Sequence, residues 1–194
     1  MRLLARVASD DVVAAFLQAE INSPRFGEQL GEAVRRLEAP GGLISAPDTS
    51  DHQQNLLRLA LFHAYRGVRP LSGLFDGFPD DMTWYRAVLG GRELSGVLYI
   101  NWDYWLEVSA GSRRPAAALV KLGEDRGVRA VAAEIGQGRM PTPIIIVGDP
   151  EFSRLVVLEG HIRLTAMVLA YEHLPAEVDV LLGTSPSIGT WPLF

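Results

Sequence analysis

Apolar positions along this chain follow two different grammars. From residue 10 to 39 they recur at three- and four-residue steps, through Val12, Val13, Phe16 and Leu17 and later Leu30, Val34 and Leu37, the spacing of helices with one apolar face. Asn22-Ser23-Pro24 interrupts the period. This predicts two helices, with Ser23 as a cap and Pro24 at the first helical position of the second, which Pro40-Gly41-Gly42 ends. The polar loop over 45–51 supplies Ser50 or Asp51 as the cap of a third helix over about 52–66. Its apolar face runs through Leu56, Leu57, Leu59, Ala60, Leu61 and Tyr65, and Gly67 stops it. Residues 68–83 are loop-rich. The segment Gly73–Pro79 is unusually aromatic for a loop, which favours an anchor over the core above a ligand or partner surface. Trp84–Leu89 reads as a short helix, and Gly90-Gly91 as a boundary.

After that boundary short apolar runs alternate with helical stretches. Val97–Ile100 reads as a strand, followed by an aromatic cluster of Trp102, Tyr104 and Trp105 that favours packing the joint between the two halves over stacking on a base. Ser112–Leu122 and Val128–Ile135 read as helices. Strands follow over about 143–147 and 154–158, then a helix over 160–173 and a strand over 177–182. The tail over 183–194 is rich in Gly, Ser, Thr and Pro but closes with Trp191, Leu193 and Phe194, which predicts that it docks on the body or on a second copy.

The stretch PIIIVGDPEFSRLVVLEGHIRLTAMVLA, Pro143 to Ala170, concentrates the candidate chemistry. A glycine between a strand and a helix lets the backbone approach a ligand, and the first helical turn then offers unpaired N–H groups and a positive dipole end to an anion. His161 and Arg163 are donors suited to phosphate or carboxylate. Glu159 and Glu151 are the nearby acids, with Asp103 and Glu107 as alternatives. For Arg163 the competing reading is an ion pair with Glu159 or Glu151; for Gly160 it is a requirement of the turn alone.

The succession strand, helices, strand, acidic turn, strand, glycine-basic helix start, helix, strand resembles the ParB/sulfiredoxin-like fold. GRMPTPIIIV, beginning at Gly138, is similar to that fold's helix-to-strand passage, and LEGHIRLTA, Leu158 to Ala166, resembles the GERRxRA box of ParB-type nucleotide-binding domains and the DGxHR form of free-serine kinases. The resemblance covers roughly 95–183. It implies an α/β (α+β) protein with a helical region over 1–90 packed on a ParB-like domain carrying a small mixed sheet, and a tail over 184–194. It also implies ATP or CTP with Mg2+, phosphates on Gly160, His161 and Arg163, a further arginine after the first strand, for which Arg113 is the nearest equivalent, and Glu159 or Glu151 as the acid/base group. Small-molecule kinase or NTP hydrolase chemistry is the leading expectation, and a non-catalytic module recognising a protein partner the alternative. Ile162 replaces a basic residue of the ParB box, and no helix-turn-helix region follows the motif.

Composition narrows this further. The chain has no cysteine, which removes disulfides, thiolate metal sites and the sulfiredoxin activity itself. A formal charge of −5, with 11 acidic residues against 9 basic up to Gly90 and 12 against 9 after it, speaks against general nucleic-acid affinity. His52, His63, His161 and His173 show no paired metal spacing. No apolar run approaches the roughly 20 residues of a membrane span, so the expected setting is the cytosol, with a nucleotide, an unidentified small molecule or protein, and a second copy of the chain as candidate partners.

Overall fold

In the computed structural model, residues 1–23, 26–66 and 73–194 are described. Pro24, expected to open the second helix, lies outside them. The chain divides into two compact units, Val7–Asp76 and Met1–Arg6 with Gly77–Phe194.

The first unit is helical because its sequence carries little except the three- and four-residue period. Its helices are α1 (Ser9–Ile21), α2 (Gly27–Arg36) and α3 (His52–Arg66). Leu17, Leu30, Leu43, Ile44 and Leu61 meet in one apolar cluster. Asp51 caps α3 as expected, its Oδ1 accepting from the main-chain N–H of Gln53 at 2.9 Å and of Gln54 at 3.1 Å. Ser23 does not cap α2. Its main-chain oxygen instead accepts from Phe26 and Gly27, and the helix begins after this turn with Phe26 at the cap position. Phe75, in the aromatic loop, packs on Phe62 with ring centroids 5.3 Å apart, so there the anchoring reading holds.

One buried cation organises this unit. Arg58 is 1% exposed and donates to the main-chain oxygens of Leu43 (3.0 Å) and Asp48 (2.7 Å) and to the side chain of Asn55. These acceptors belong to the long connection before α3 and to α3 itself, so the guanidinium fastens one to the other. Among the described residues Arg58 has no ion-pair partner and its Nε has no hydrogen-bond partner.

The second unit is built on a five-stranded mixed sheet, and the architecture is α/β. The strands are β1 (Arg2–Val7), β2 (Thr83–Leu89), β3 (Ile144–Gly148), β4 (Leu155–Glu159) and β5 (Val178–Thr184), in the order β1-β2-β5-β3-β4. β2 runs antiparallel to β5, β5 parallel to β3, and β3 antiparallel to β4, with a register shift between Ile145 and Ile146. β3 is buried on both faces, as its unbroken Ile-Ile-Ile-Val run requires. The helices are α4 (Gly91–Gly96), α5 (Asp103–Val108), α6 (Pro115–Leu122), α7 (Arg126–Gly136) and α8 (His161–Leu169). α8 packs against α6, α7, β3 and β4, and fills the main core with Leu164, Ala166 and Met167.

Two elements differ from the sequence reading. Trp84–Leu89 is strand, not helix: its aromatic and β-branched residues suit a pleated surface, and all seven residues of β2 pair with β5. Val97–Ile100 is extended but forms only a single bridge, Leu98 with Val156. Its main chain serves several partners in turn, Leu98 bonding to Leu155 and Val157, Tyr99 to Arg113, so no ladder propagates. β1, which the hydrophobic pattern did not mark, is exposed along nearly its whole length.

Replacing Arg58 by methionine strands buried carbonyls and Asn55 together. Charge-assisted hydrogen bonds contribute about 1.5–3 kcal/mol each, so R58M is expected to destabilise the helical unit by about 3 kcal/mol. Hydrogen exchange of α3 amides reads this locally. Unchanged protection would show that Arg58 is dispensable.

Candidate functional site

The junction between β4 and α8 is set by Gly160. Its φ of 102° and ψ of 28° lie in the left-handed region, which ends the strand and starts the helix within one residue. A Cβ built there would sit 2.6 Å from Ile144 Cγ2 and 3.0 Å from Ile144 Cβ, so both the dihedral and the packing demand glycine. The turn alone therefore accounts for Gly160. The same turn leaves the first N–H groups of α8 without intrahelical acceptors, and no side chain caps them.

His161 occupies the first helical position. Its ring stacks on Trp105, centroids 4.5 Å apart and planes at 15°, and lies 5.8 Å from the Tyr99 ring at 25°. Trp105 also faces Tyr99 at 4.6 Å, and Tyr104 meets Trp105 edge-on at 4.9 Å. Tyr104 and Trp105 thus pack within this unit, and the surface that Trp105 covers is the helix start itself. Tyr99 is fully buried. Its hydroxyl lies 2.5 Å from Thr165 Oγ1, which donates to the main-chain oxygen of His161 at 2.7 Å. Burial pushes the Tyr99 phenol up to about 12, so it remains a neutral donor.

Arg163 projects back along the helix and is absorbed by the protein. Nη2 pairs with Glu159, and Nη1 donates to the main-chain oxygens of Thr142 (2.7 Å) and Pro143 (3.0 Å) and to Thr142 Oγ1. The two paired side chains are 12% and 15% exposed. Arg163 therefore clamps the end of β4 to the loop entering β3.

Glu151 is not brought to this junction. It lies exposed in the β3–β4 turn, at the opposite end of β4 from Glu159. The residue that organises that turn is Asp149, whose carboxylate accepts from the Ser153 N–H (3.0 Å), the Ser153 hydroxyl (2.7 Å) and the Arg154 N–H (3.0 Å). Burial alone would raise its pKa, but these bonds together hold it below the usual carboxylate value. Glu107 pairs with Lys121 at 3.0 Å.

Arg113 stands apart from Arg163. With a φ of 58° it is a left-handed non-glycine residue. It donates to the main-chain oxygens of Tyr99 (2.7 Å), Phe194 (2.9 Å) and Leu193 (3.1 Å). Asn101 N–H also donates to Leu193, at 2.9 Å, and Trp191 is 2% exposed beneath Phe78. The tail therefore docks on the unit's own body, with Arg113 as its latch. Burial and then the nearby Arg154 charge lower the Arg113 pKa.

Sequence reasoning missed Tyr99, Thr165, Thr142 and Asp149. Thr165 had a detectable signal, since a threonine four residues after His161 can bond back to its carbonyl. Thr142 had none. For an anion at the helix start, the α8 main-chain amides are the donors that no side chain caps. Among the described residues no group of three or more His, Asp or Glu is placed to hold a metal. Mg2+ fits only as an ion carried by phosphate oxygens, with Glu159 as the carboxylate at the helix start. Among the described residues no helix is long and apolar enough to cross a membrane.

Comparison with family models, curated proteins and solved structures finds no match to this chain.

Gly160→Ala is expected to cost about 3 kcal/mol, from a left-handed alanine (about 1–2 kcal/mol) and overpacking (about 1–3 kcal/mol). In an Ile144→Ala background the added cost should fall by about 1 kcal/mol or more, because the clashing Cγ2 is gone. Additive losses in denaturant titrations would contradict the contact. Tyr99 gives a second expectation, with its sign fixed by the raised value. Its contribution to stability is complete below the ordinary tyrosine pKa of about 10 and is lost as pH rises from there through about 12. Y99F should flatten the stability curve across that window, and an unchanged slope would contradict it.

Proposed function

We propose that the chain binds a nucleotide, ATP or CTP, with its phosphates at the start of α8, and uses it in phosphoryl chemistry as a small-molecule kinase or NTP hydrolase of ParB/sulfiredoxin-like type. The observation that carries the reading is the left-handed Gly160 at the strand-to-helix junction. It opens an uncapped helical first turn beside His161, in the segment that resembles the fold's phosphate box. Main-chain amides of that turn and the helix dipole form the first anchor for an anion. His161, held flat on Trp105, adds a donor with little freedom left to lose.

Of the two acids suggested by the sequence, the geometry favours Glu159, which sits at the turn. Arg163 is both its partner and a phosphate candidate. A bound phosphate would draw the guanidinium from Glu159 and free the carboxylate for a hydroxyl acceptor or a water. Arg113 is the further phosphate candidate, with its Nη1 and Nη2 already donating to the tail. The bound nucleotide supplies the transferable phosphoryl group, and magnesium travels with it.

A second reading, a non-catalytic module for a protein partner, has its own support. Arg163 and Arg113 are both engaged by internal acceptors, the pattern of residues that hold a fold.

Thermal shift with ATP, CTP, GTP and ADP plus magnesium tests the proposal. Ligand at about a hundred times its Kd stabilises by about 2.7 kcal/mol, a rise of several degrees. We expect the rise with at least one nucleotide and its loss in His161→Ala. No shift with any nucleotide, for protein shown to be folded, overturns the proposal. Binding without phosphate release or transfer assigns the chain to the second reading.

A further inference from the structure

We infer that a groove between the β3–β4 turn and the start of α6 is a second anion site, which takes a compact organic anion bearing a phosphate or carboxylate on an apolar body. The groove has a volume of about 370 Å3, within the range of small-ligand sites. Leu98 and Leu155 provide apolar surface, Phe152 a wall, and Arg114 and Arg154 the charge.

The case rests on how the two arginines are held. Neither has a carboxylate partner among the described residues, unlike Arg163, Arg139, Arg129, Arg36 and Arg2, which all do. Both guanidinium groups sit on fixed backbone. Arg114 is the cap residue of α6, between left-handed Arg113 and buried Pro115. Arg154 follows the turn that Asp149 fastens by three hydrogen bonds, and its guanidinium lies 5.3 Å above the Phe194 ring.

Backbone strain points to the same place. Phe152 has a φ of 56° and Arg113 a φ of 58°, so each groove arginine lies within two residues of a left-handed non-glycine residue. Such conformations cost energy and gather where a side chain must be aimed. Arg154 also lies near enough to the Arg113 charge to lower its pKa, so positive charge gathers beside the groove. The acid of the groove, Glu93, is already committed to the Met1 amino group and to the Gly90 N–H at 2.9 Å, so it does not cancel the arginines. Both arginine side chains are exposed and ready for a planar, two-pronged grip on an oxyanion.

This site is independent of the nucleotide reading. It adjoins Leu155, at the start of β4, whereas Gly160 follows the far end of that strand. The test is a titration of the full chain, at constant ionic strength, with inorganic phosphate, phenyl phosphate and benzoate, followed by amide chemical shifts. We expect saturable shifts at Arg114, Ser153 and Arg154, tighter for phenyl phosphate than for inorganic phosphate because the ring fills the apolar part. Arg114→Ala and Arg154→Ala should each weaken binding at least tenfold, Arg154→Lys by less, and Arg129→Ala not at all. Benzoate binding as tightly as phenyl phosphate still supports the anion site and assigns it to carboxylates. Non-saturating shifts, shifts confined to His161–Leu164, or binding within twofold of the parent in both alanine variants would overturn the inference. Amide spectra of each variant report folding, so a lost fold cannot pass for a lost site.

Discussion

The close approach of Gly160 to Ile144 is the constraint on which the second unit depends. A strand must end, reverse onto its neighbour and release a helix, all within one residue, while a buried isoleucine lies where any side chain would project. Only a glycine meets both demands. From that point Glu159 closes the β3–β4 pair, and α8 sets out at the angle that seats Leu164, Ala166 and Met167 in the core. The uncapped first turn of α8 is a by-product of the same geometry. Structural need and binding capacity coincide at this residue, so the glycine by itself cannot distinguish them.

What distinguishes them is competition for the nearby charges. Arg163 has an ion pair and several neutral acceptors in a half-buried setting. Charge-assisted bonds of that kind contribute about 1.5–3 kcal/mol each. The helix terminus offers an anion typically about 0.3–1 kcal/mol, rising to about 2 when partly buried. A phosphate that recruits Arg163 must exceed what Glu159, Thr142 and Pro143 already provide. In the proposed nucleotide reading, a phosphate resting on the main-chain amides alone would leave those Arg163 contacts in place. That reading therefore places the amides first and the guanidinium after them.

The sequence was legible wherever a residue's surroundings are written next to it. The Ile-Ile-Ile-Val run announced a strand buried on both faces, the period of 10–39 announced helices, and the aromatic tail announced docking. Legibility failed where partners come from afar. β2 carries strand-forming residues, but its ladder lies in β5 near the other end of the chain, and the short segment read equally well as a helix. Arg163 reads from the sequence as a phosphate donor, with an ion pair to Glu159 or Glu151 as the competing reading, and its oxygen acceptors are only partly foreseeable. Glu159, four residues earlier, could be foreseen as one of them, whereas the carbonyls of Thr142 and Pro143 could not. Glu151 and Glu159 flank one strand, so proximity in sequence makes them alternatives for one role, whereas an extended β4 puts them at opposite ends. Asp149, beside Glu151, had the shorter side chain and the proline neighbour of a turn organiser, and it was overlooked in favour of the more exposed acid.

Tyr99 joins the helix start to the tail. Its ring faces His161 and Trp105, its hydroxyl reaches Thr165, and its main-chain oxygen accepts from the same guanidinium that holds Leu193 and Phe194. A guanidinium carries five N–H donors, and Tyr99, Phe194 and Leu193 engage one each on Nε, Nη1 and Nη2 of Arg113. Under the proposed nucleotide reading, a phosphate that took over the donors given to Leu193 and Phe194 would compete with the docked tail, and by linkage the docked tail would oppose it to the same degree. A phosphate that used only the two remaining N–H groups, or only the α8 amides, would leave the tail in place.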